Sequence, residues 1–246
     1  MKKVLVSLFW FSILCNCAFA AKNPCDVNIG SHLAVTPVQR TEDWWLPRHQ
    51  AILERVKQGN VDLIMIGDSI THGWEHSSGD TWEKYYAKRN AVNMGFGGDK
   101  TEHVLWRLQN GEIDGCNPKL AVIMIGTNNS NGDYYTAEQI ADGIKAIVCE
   151  LRTKLPNTKV LILNIFPRGE KPSAQREKNA KASLLASKIA DKKMIYYLDI
   201  NNKFLGLYGK LSTDIMPDLL HPREKGYKIW AEAMEQTVVK LMGEKK

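Results

Sequence analysis

The chain has 246 residues, with 33 Lys and Arg against 27 Asp and Glu, a formal net charge of +6. It is 44% hydrophobic and 24% charged, with 18 Gly and 9 Pro, proportions that exclude a collagen, a disordered tail and a disulfide-dense mini-scaffold. The length suits one large domain or two small ones, with enough chain to bury a core.

Residues 1–20 read as a signal peptide. Lys2 and Lys3 make a basic start, 4–14 is apolar apart from Ser7 and Ser12, and Ala18-Phe19-Ala20 has the small-x-small pattern of a signal-peptidase site. Cleavage is predicted after Ala20, and a secreted or periplasmic product is expected. The apolar stretch is too short to span a bilayer, so stable membrane insertion is not expected. Lipid anchoring at Cys15 or Cys17 is disfavoured because the small residues it needs before the cysteine are poorly met. Losing Lys2 and Lys3 takes the charge from +6 to +4. The remaining basic residues form no stripe with interleaved aromatics, which argues against nucleic acid as a partner. Cys25, Cys116 and Cys149 are left. That odd count allows at most one bridge, and no Cys/His spacing matches a zinc site.

Residues 21–60 read as an N-terminal extension that ends in a helix at 45–57. From residue 61 to 246 apolar runs alternate with amphipathic stretches, without repeats or a linker. Runs at 61–66, 91–94, 120–125, 160–165 and 194–198 predict five strands, the second weaker than the others. Helices are predicted at 101–109, 136–155, 174–189 and 223–241, and Pro156 follows the second of these. Nearly continuous apolar strands are buried on both faces, which indicates an α/β protein with a parallel sheet inside a three-layer α/β/α sandwich. Ligands of such sheets bind beyond the carboxyl ends of the strands, so the polar residues there are the candidates for chemistry.

After the first run comes Gly67-Asp68-Ser69-Ile70, where a serine can serve as a nucleophile or Asp and Ser can simply cap a helix. Thr71 stands where the α/β-hydrolase nucleophile elbow needs glycine, which disfavours that fold. After the second run, Gly95-Phe96-Gly97-Gly98-Asp99 offers tight turns and unobstructed N–H groups, and it breaks the dinucleotide-binding fingerprint at Lys100. After the third, Gly126-Thr127-Asn128-Asn129 places a side-chain amide that can donate to an oxyanion. Before the last helix, Asp218-Leu219-Leu220-His221-Pro222 can set a carboxylate on an imidazole.

Taken together, these blocks make the chain resemble the SGNH, or GDSL-type, hydrolase superfamily. The stretches GGDKTEHVLWRLQNGEIDG, GTNN and PRGEKPSAQREKNAK are similar to the platelet-activating-factor acetylhydrolase group and its bacterial relatives. The resemblance covers roughly residues 61–230. Ile70 and Asn129 depart from the usual Leu and Asp without removing a catalytic group. It implies the flavodoxin-like SGNH sandwich and a Ser-His-Asp esterase needing no cofactor. Ser69, His221 and Asp218 would be catalytic, and Ser69 N–H, Gly98 N–H and Asn128 would form the oxyanion hole. It further implies a short acyl group, acetyl first. Combined with the signal peptide, it points to a small ester or an O-acetylated glycan as substrate. Lipid esters are the alternative within the enzyme class. The resembled subunits pair, which leaves a homodimer open.

Asp68, Asn129, Tyr134, Tyr135 and Trp74 are the candidate substrate contacts. His72 and His76 lack a third ligand, so no metal is expected. Two rival classes remain. A non-catalytic glycan-binding protein would be expected to have lost the serine or the histidine. A flavodoxin-like cofactor binder would meet an anion-repelling Asp68 after the first strand.

Overall fold

In the computed structural model, which describes residues 25–26 and 29–245, the five apolar runs become the strands of one parallel sheet. These are β1 (Leu63–Gly67), β2 (Ala91–Gly95), β3 (Leu120–Met124), β4 (Lys159–Leu163) and β5 (Ile195–Leu198). The predicted signal peptide and its cleavage point lie outside the described residues. Side chains alternate along each strand and enter two separate cores. Ile64 and Ile66 join Ala121, Ile123 and Ile162 on one face, while Leu63 and Met65 join Val122, Met124 and Leu161 on the other.

The first face is covered by α1 (Trp45–Lys57), α4 (Thr101–Gln109), α5 (Ala137–Lys154) and α6 (Ala174–Ser187). Helix α5 shows why the segment folds as it does. Thr136 and Gln139 form a reciprocal capping box, and Ile140, Ile144, Ile147 and Leu151 recur at helical spacing toward the sheet. The helix stops one residue short of Leu155, which precedes Pro156 and is pushed out of helical geometry. The second face is covered by α7 (Glu224–Met242) with the short α3 (Thr81–Tyr85). Trp74, Tyr227 and Trp230 fill that interior.

The strand order is β2-β1-β3-β4-β5, so β1 and β3 are neighbours inside the sheet, and the chain runs from β1 to β2 on one side and from β3 to β4 on the other. That is the switch point where crevices open in doubly wound sheets. Gly67 is level with Gly95 of β2 and with Met124 of β3. The loops after these three strands therefore emerge side by side at one edge.

The extension before α1 is fastened to the same edge. Thr101 Oγ1 donates to the Ala34 carbonyl at 2.8 Å, and Val38 N–H to the Glu102 carbonyl at 3.1 Å. A disulfide joins Cys25 to Cys149 of α5, which leaves Cys116 as a free thiol. Among the described residues no helix is long and apolar enough to cross a membrane.

Candidate active site

Strand β1 ends at Gly67 because nothing larger fits there. A Cβ would come within 2.1 Å of Thr71 Oγ1 and 2.4 Å of the Met124 carbonyl oxygen. The chain can then turn at once into α2 (Ser69–His72), for which Asp68 is the N-cap. Asp68 Oδ1 accepts the Ile70 N–H at 2.9 Å, and Ser69 occupies the first helical position, where an N–H has no acceptor within the helix. Ser69 itself is half-buried.

Its hydroxyl lies 2.8 Å from Nε2 of His221, 152 positions further along the chain. Nδ1 of that ring is 2.5 Å from Asp218 Oδ2. The Asp-x-x-His spacing works because the aspartate folds its own loop. Asp218 Oδ1 accepts the N–H groups of Leu220 at 3.0 Å and His221 at 2.7 Å, which turns the backbone so that Oδ2 meets the imidazole. Leu219 takes a left-handed conformation, φ 59°, to allow this, and its carbonyl is held by Gly169 N–H at 2.8 Å. Burial pushes the Asp218 carboxyl up, but the hydrogen bonds from the His221 ring and the two backbone N–H groups outweigh it. The net shift is downward, and the group stays ionised.

Gly98 and Asn128 reach the same edge from β2 and β3. Asn128 Nδ2 donates to the Asp99 carbonyl at 2.9 Å, which ties the two loops together. Arg168 supports the Asn128 loop from below by donating to the Thr127 carbonyl at 3.2 Å and to Asn131 Oδ1 at 3.0 Å. Beneath Gly98, buried Asp99 accepts from Trp45 Nε1 at 2.8 Å, Arg107 Nε at 2.9 Å and Arg40 Nη1 at 3.1 Å. Arg107, itself fully buried, also pairs with Glu112 and lies 3.9 Å above the Phe96 ring. A buried arginine tolerates burial only when its charge and its N–H groups find partners of this kind.

A cavity of about 350 Å³ opens beside Ser69 and His221, walled by His72, His76, Ser77 and Arg223. Burial and the neighbouring Arg48 bring the His72 pKa down to about 4, so its ring is neutral at neutral pH. Its Nδ1 can then accept the Gly97 N–H, 3.3 Å away.

Four of the five candidate substrate contacts are corrected by their burial. Asn129 is fully buried, and its amide is consumed by Thr101 N–H at 3.1 Å, Thr101 Oγ1 at 3.1 Å and Glu102 Oε2 at 3.0 Å. Tyr135 is 3% exposed and gives its hydroxyl to Glu102 Oε1 at 2.5 Å. Both serve to satisfy a buried carboxylate, which needs donors wherever they can be found. Trp74 is buried against Tyr227 with ring centroids 4.5 Å apart, and Asp68 is fully buried under its own helix cap. Of the five only Tyr134 is accessible, at 88% exposure. Conversely, Arg40, His72 and Arg168 hold the site's loops, a role the sequence does not assign to any of them. Arg40 lies in the extension, outside the recognised stretch.

Asp68 carries a testable consequence. Burial, with Asp99 nearby adding to it, raises its carboxyl from 3.8 to about 7, and its Oδ2 has no hydrogen-bond partner among the described residues. A carboxyl with a raised folded pKa holds its proton more tightly in the folded chain. Its contribution to stability is therefore complete below pH 3.8 and is lost as pH rises toward about 7. Asp68→Asn removes this titration. In urea melts, the stability of the parent minus that of the variant should fall steadily across the window. A flat difference would mean that Asp68 titrates alike in the folded and unfolded chain.

The site defines a class before any comparison is made: an α/β/α sandwich with a serine, an imidazole and a carboxylate in line at the switch point. Residues 65–229 match the GDSL-like Lipase/Acylhydrolase family, and the chain belongs to it. It is 35% identical over 204 residues to platelet-activating factor acetylhydrolase IB subunit alpha2 of Homo sapiens, covering 82% of this chain and 87% of that one. It is 34% identical over 212 residues to subunit alpha1 of Pongo abelii, covering 85% and 90%. Among solved structures, a putative acylhydrolase from Bacteroides fragilis superposes with a TM-score of 0.67 at 19% identity, over 82% of this chain and all of that one. A catalytic mutant of an acetylxylan esterase from Geobacillus stearothermophilus gives 0.58 at 18% identity, over 76% and 96%. At these identities the two structures share the fold.

Proposed function

We propose that this protein is a serine esterase that removes short acyl groups, acetyl above all, from O-acylated carbohydrate outside the cytoplasm. The observation that carries the catalytic part is the line from Ser69 Oγ through His221 to Asp218, at 2.8 and 2.5 Å. His221 Nε2 takes the Ser69 proton as Oγ attacks the ester carbonyl, and the ionised Asp218 steadies the imidazolium. The negative oxygen is held by the N–H groups of Ser69 and Gly98 and by the Asn128 amide. Collapse expels the alcohol, which leaves with the proton from His221. A water activated by the same imidazole then releases the acid and restores Ser69.

Two further observations support the substrate side. Among the described residues, the cavity beside Ser69 and His221 is lined by Pro217, Pro222 and Tyr227 but by no Leu, Ile, Val, Met or Phe, and His72, His76, Ser77 and Arg223 offer a polar alcohol hydrogen-bonding walls. The relatives named as acetylhydrolases and the acetylxylan esterase of like fold both act on acetyl esters by name. An exported location is supported by the basic-apolar-small pattern of residues 1–20 and by the Cys25–Cys149 disulfide.

The test is acetate release from acetylated xylan, pectin and sialoglycans, set against p-nitrophenyl esters of rising chain length and an acetylated phospholipid. Turnover should fall steeply from acetyl to octanoyl, and at least one polysaccharide should release acetate. Preference for the phospholipid or the longer acyl chains would make the enzyme a lipid acylhydrolase. No turnover, together with no labelling by a fluorophosphonate probe, would leave a glycan-binding protein on the same scaffold.

A further inference from the structure

The peptide bond between Gly97 and Gly98 is one rigid trans plane, so the Gly97 carbonyl and the Gly98 N–H point in opposite directions. Whatever holds the carbonyl therefore aims the N–H. A glycine on each side makes this plane easy to turn over, since neither residue has a Cβ to obstruct other backbone angles. Gly98 sits at φ 78°, a region that side-chain-bearing residues rarely adopt.

The rest of the turn is well tied. Gly97 N–H meets His72 Nδ1 at 3.3 Å, Asp99 N–H meets the Phe96 carbonyl at 3.1 Å, and the Asp99 carbonyl accepts from Asn128. Among the described residues the carbonyl of Gly97 is held by one group, Arg40 Nη1, at 2.6 Å. The same nitrogen donates to Asp99 Oδ1 at 3.1 Å, so the guanidinium bridges both residues that flank Gly98. Glu42 fixes the guanidinium in turn, accepting from Nε at 3.1 and 3.2 Å and from Nη2. Trp44 lies under it at 5.6 Å. The Gly98 N–H has no partner of its own among the described residues.

We infer that Arg40 is the positioning residue of the oxyanion hole: by clamping the Gly97 carbonyl it holds the Gly98 N–H toward the reacting ester. Its positive charge on that carbonyl also polarises the peptide and makes the N–H a stronger donor. The residue comes from the extension before α1, outside the 65–229 span of the family match. That extension is bolted to α5 by the Cys25–Cys149 bridge, so it supplies part of the site's geometry. The inference rests on the esterase reading above and adds to it the origin of one donor's orientation.

The experiment compares the parent with Arg40→Ala, Arg40→Lys and Asn128→Ala on p-nitrophenyl acetate. Arg40→Ala should lower kcat by about a hundredfold, as losing one oxyanion donor does, with KM little changed. Asn128→Ala, which removes a donor outright, sets the scale for that signature. Arg40→Lys keeps a countercharge for Asp99 but cannot hold Glu42, Asp99 and the carbonyl together, so its kcat should stay at least about tenfold below the parent. Guanidinium ion added to Arg40→Ala should recover part of kcat. The opposite results are a kcat within about threefold of the parent, a loss confined to KM, or full recovery in Arg40→Lys. Any of these reduces Arg40 to a structural partner of Asp99. If Arg40→Ala does not fold, the lysine variant decides alone, and parent-like kcat there overturns the inference. A parent that neither turns over the ester nor takes the fluorophosphonate label refutes the esterase reading itself, a result distinct from all of these.

Discussion

Ser69→Ala is expected to lower kcat for a short acyl ester by about 10⁵- to 10⁶-fold, down to the residual rate supplied by substrate binding and the oxyanion donors. The magnitude follows from the nucleophilic role proposed for the hydroxyl. Without Oγ no acyl-enzyme forms, and His221 is left to activate water from a position set for the serine. The fold should be untouched, because Oγ is half-buried and its hydrogen bond goes to a ring that is 40% exposed. An unchanged melting temperature with complete loss of fluorophosphonate labelling is the expected pair of readings. A variant that keeps even one part in about a hundred of the parent rate would remove Ser69 from the nucleophile's role.

Asp218→Asn is the second large effect, a loss of about 10⁴-fold in kcat. The substitution separates two jobs that the aspartate combines. Asn can still accept the Leu220 and His221 N–H groups through Oδ1, so the loop with left-handed Leu219 is preserved. It cannot hold a proton on Nδ1 as a carboxylate does. When its amide donates to Nδ1, the proton sits on Nε2 and faces the serine, which then has no base. A loss below about tenfold would mean that the carboxylate only shapes the loop. Asp218→Ala should lose some stability as well as rate, because the Leu220 and His221 N–H groups lose the acceptor that turns the loop.

How much of this was legible in the chain depends on the range of the physics involved. The strands could be read because burial on both faces demands unbroken apolar runs, and 120–125 and 160–165 have little other meaning. The helix predicted at 136–155 came out as Ala137–Lys154, since a capping box and a proline are local signals. The capping reading of Asp68 and Ser69 anticipates the start of α2, whereas α3 has no such signal, since five residues carry no periodicity to detect. Their place is set by Gly67 and by packing beneath Trp74.

The candidate substrate contacts show the limit in the other direction. Asn129 and Tyr135 lie close to Asn128 in sequence, and nearness puts them in its loop. Which way each side chain turned was decided by Glu102, about 30 positions away, a buried carboxylate whose oxygens drew both donors inward. Trp74 goes to the interior for a reason far more distant along the chain, the Tyr227 and Trp230 rings of α7.

Arg40 belongs with these. Nothing in Val38-Gln39-Arg40-Thr41 marks a functional arginine, and its task exists only because the Gly97 carbonyl, 57 positions later, is brought to it. By itself the sequence determined the alternation of elements, the edge at which chemistry collects and the residue types gathered there, because periodicity, helix capping and strand ends act over a few residues. Tertiary structure alone decided which polar groups face a substrate and which are spent on one another. Each buried donor or acceptor must find its partner wherever the fold brings one within hydrogen-bonding distance.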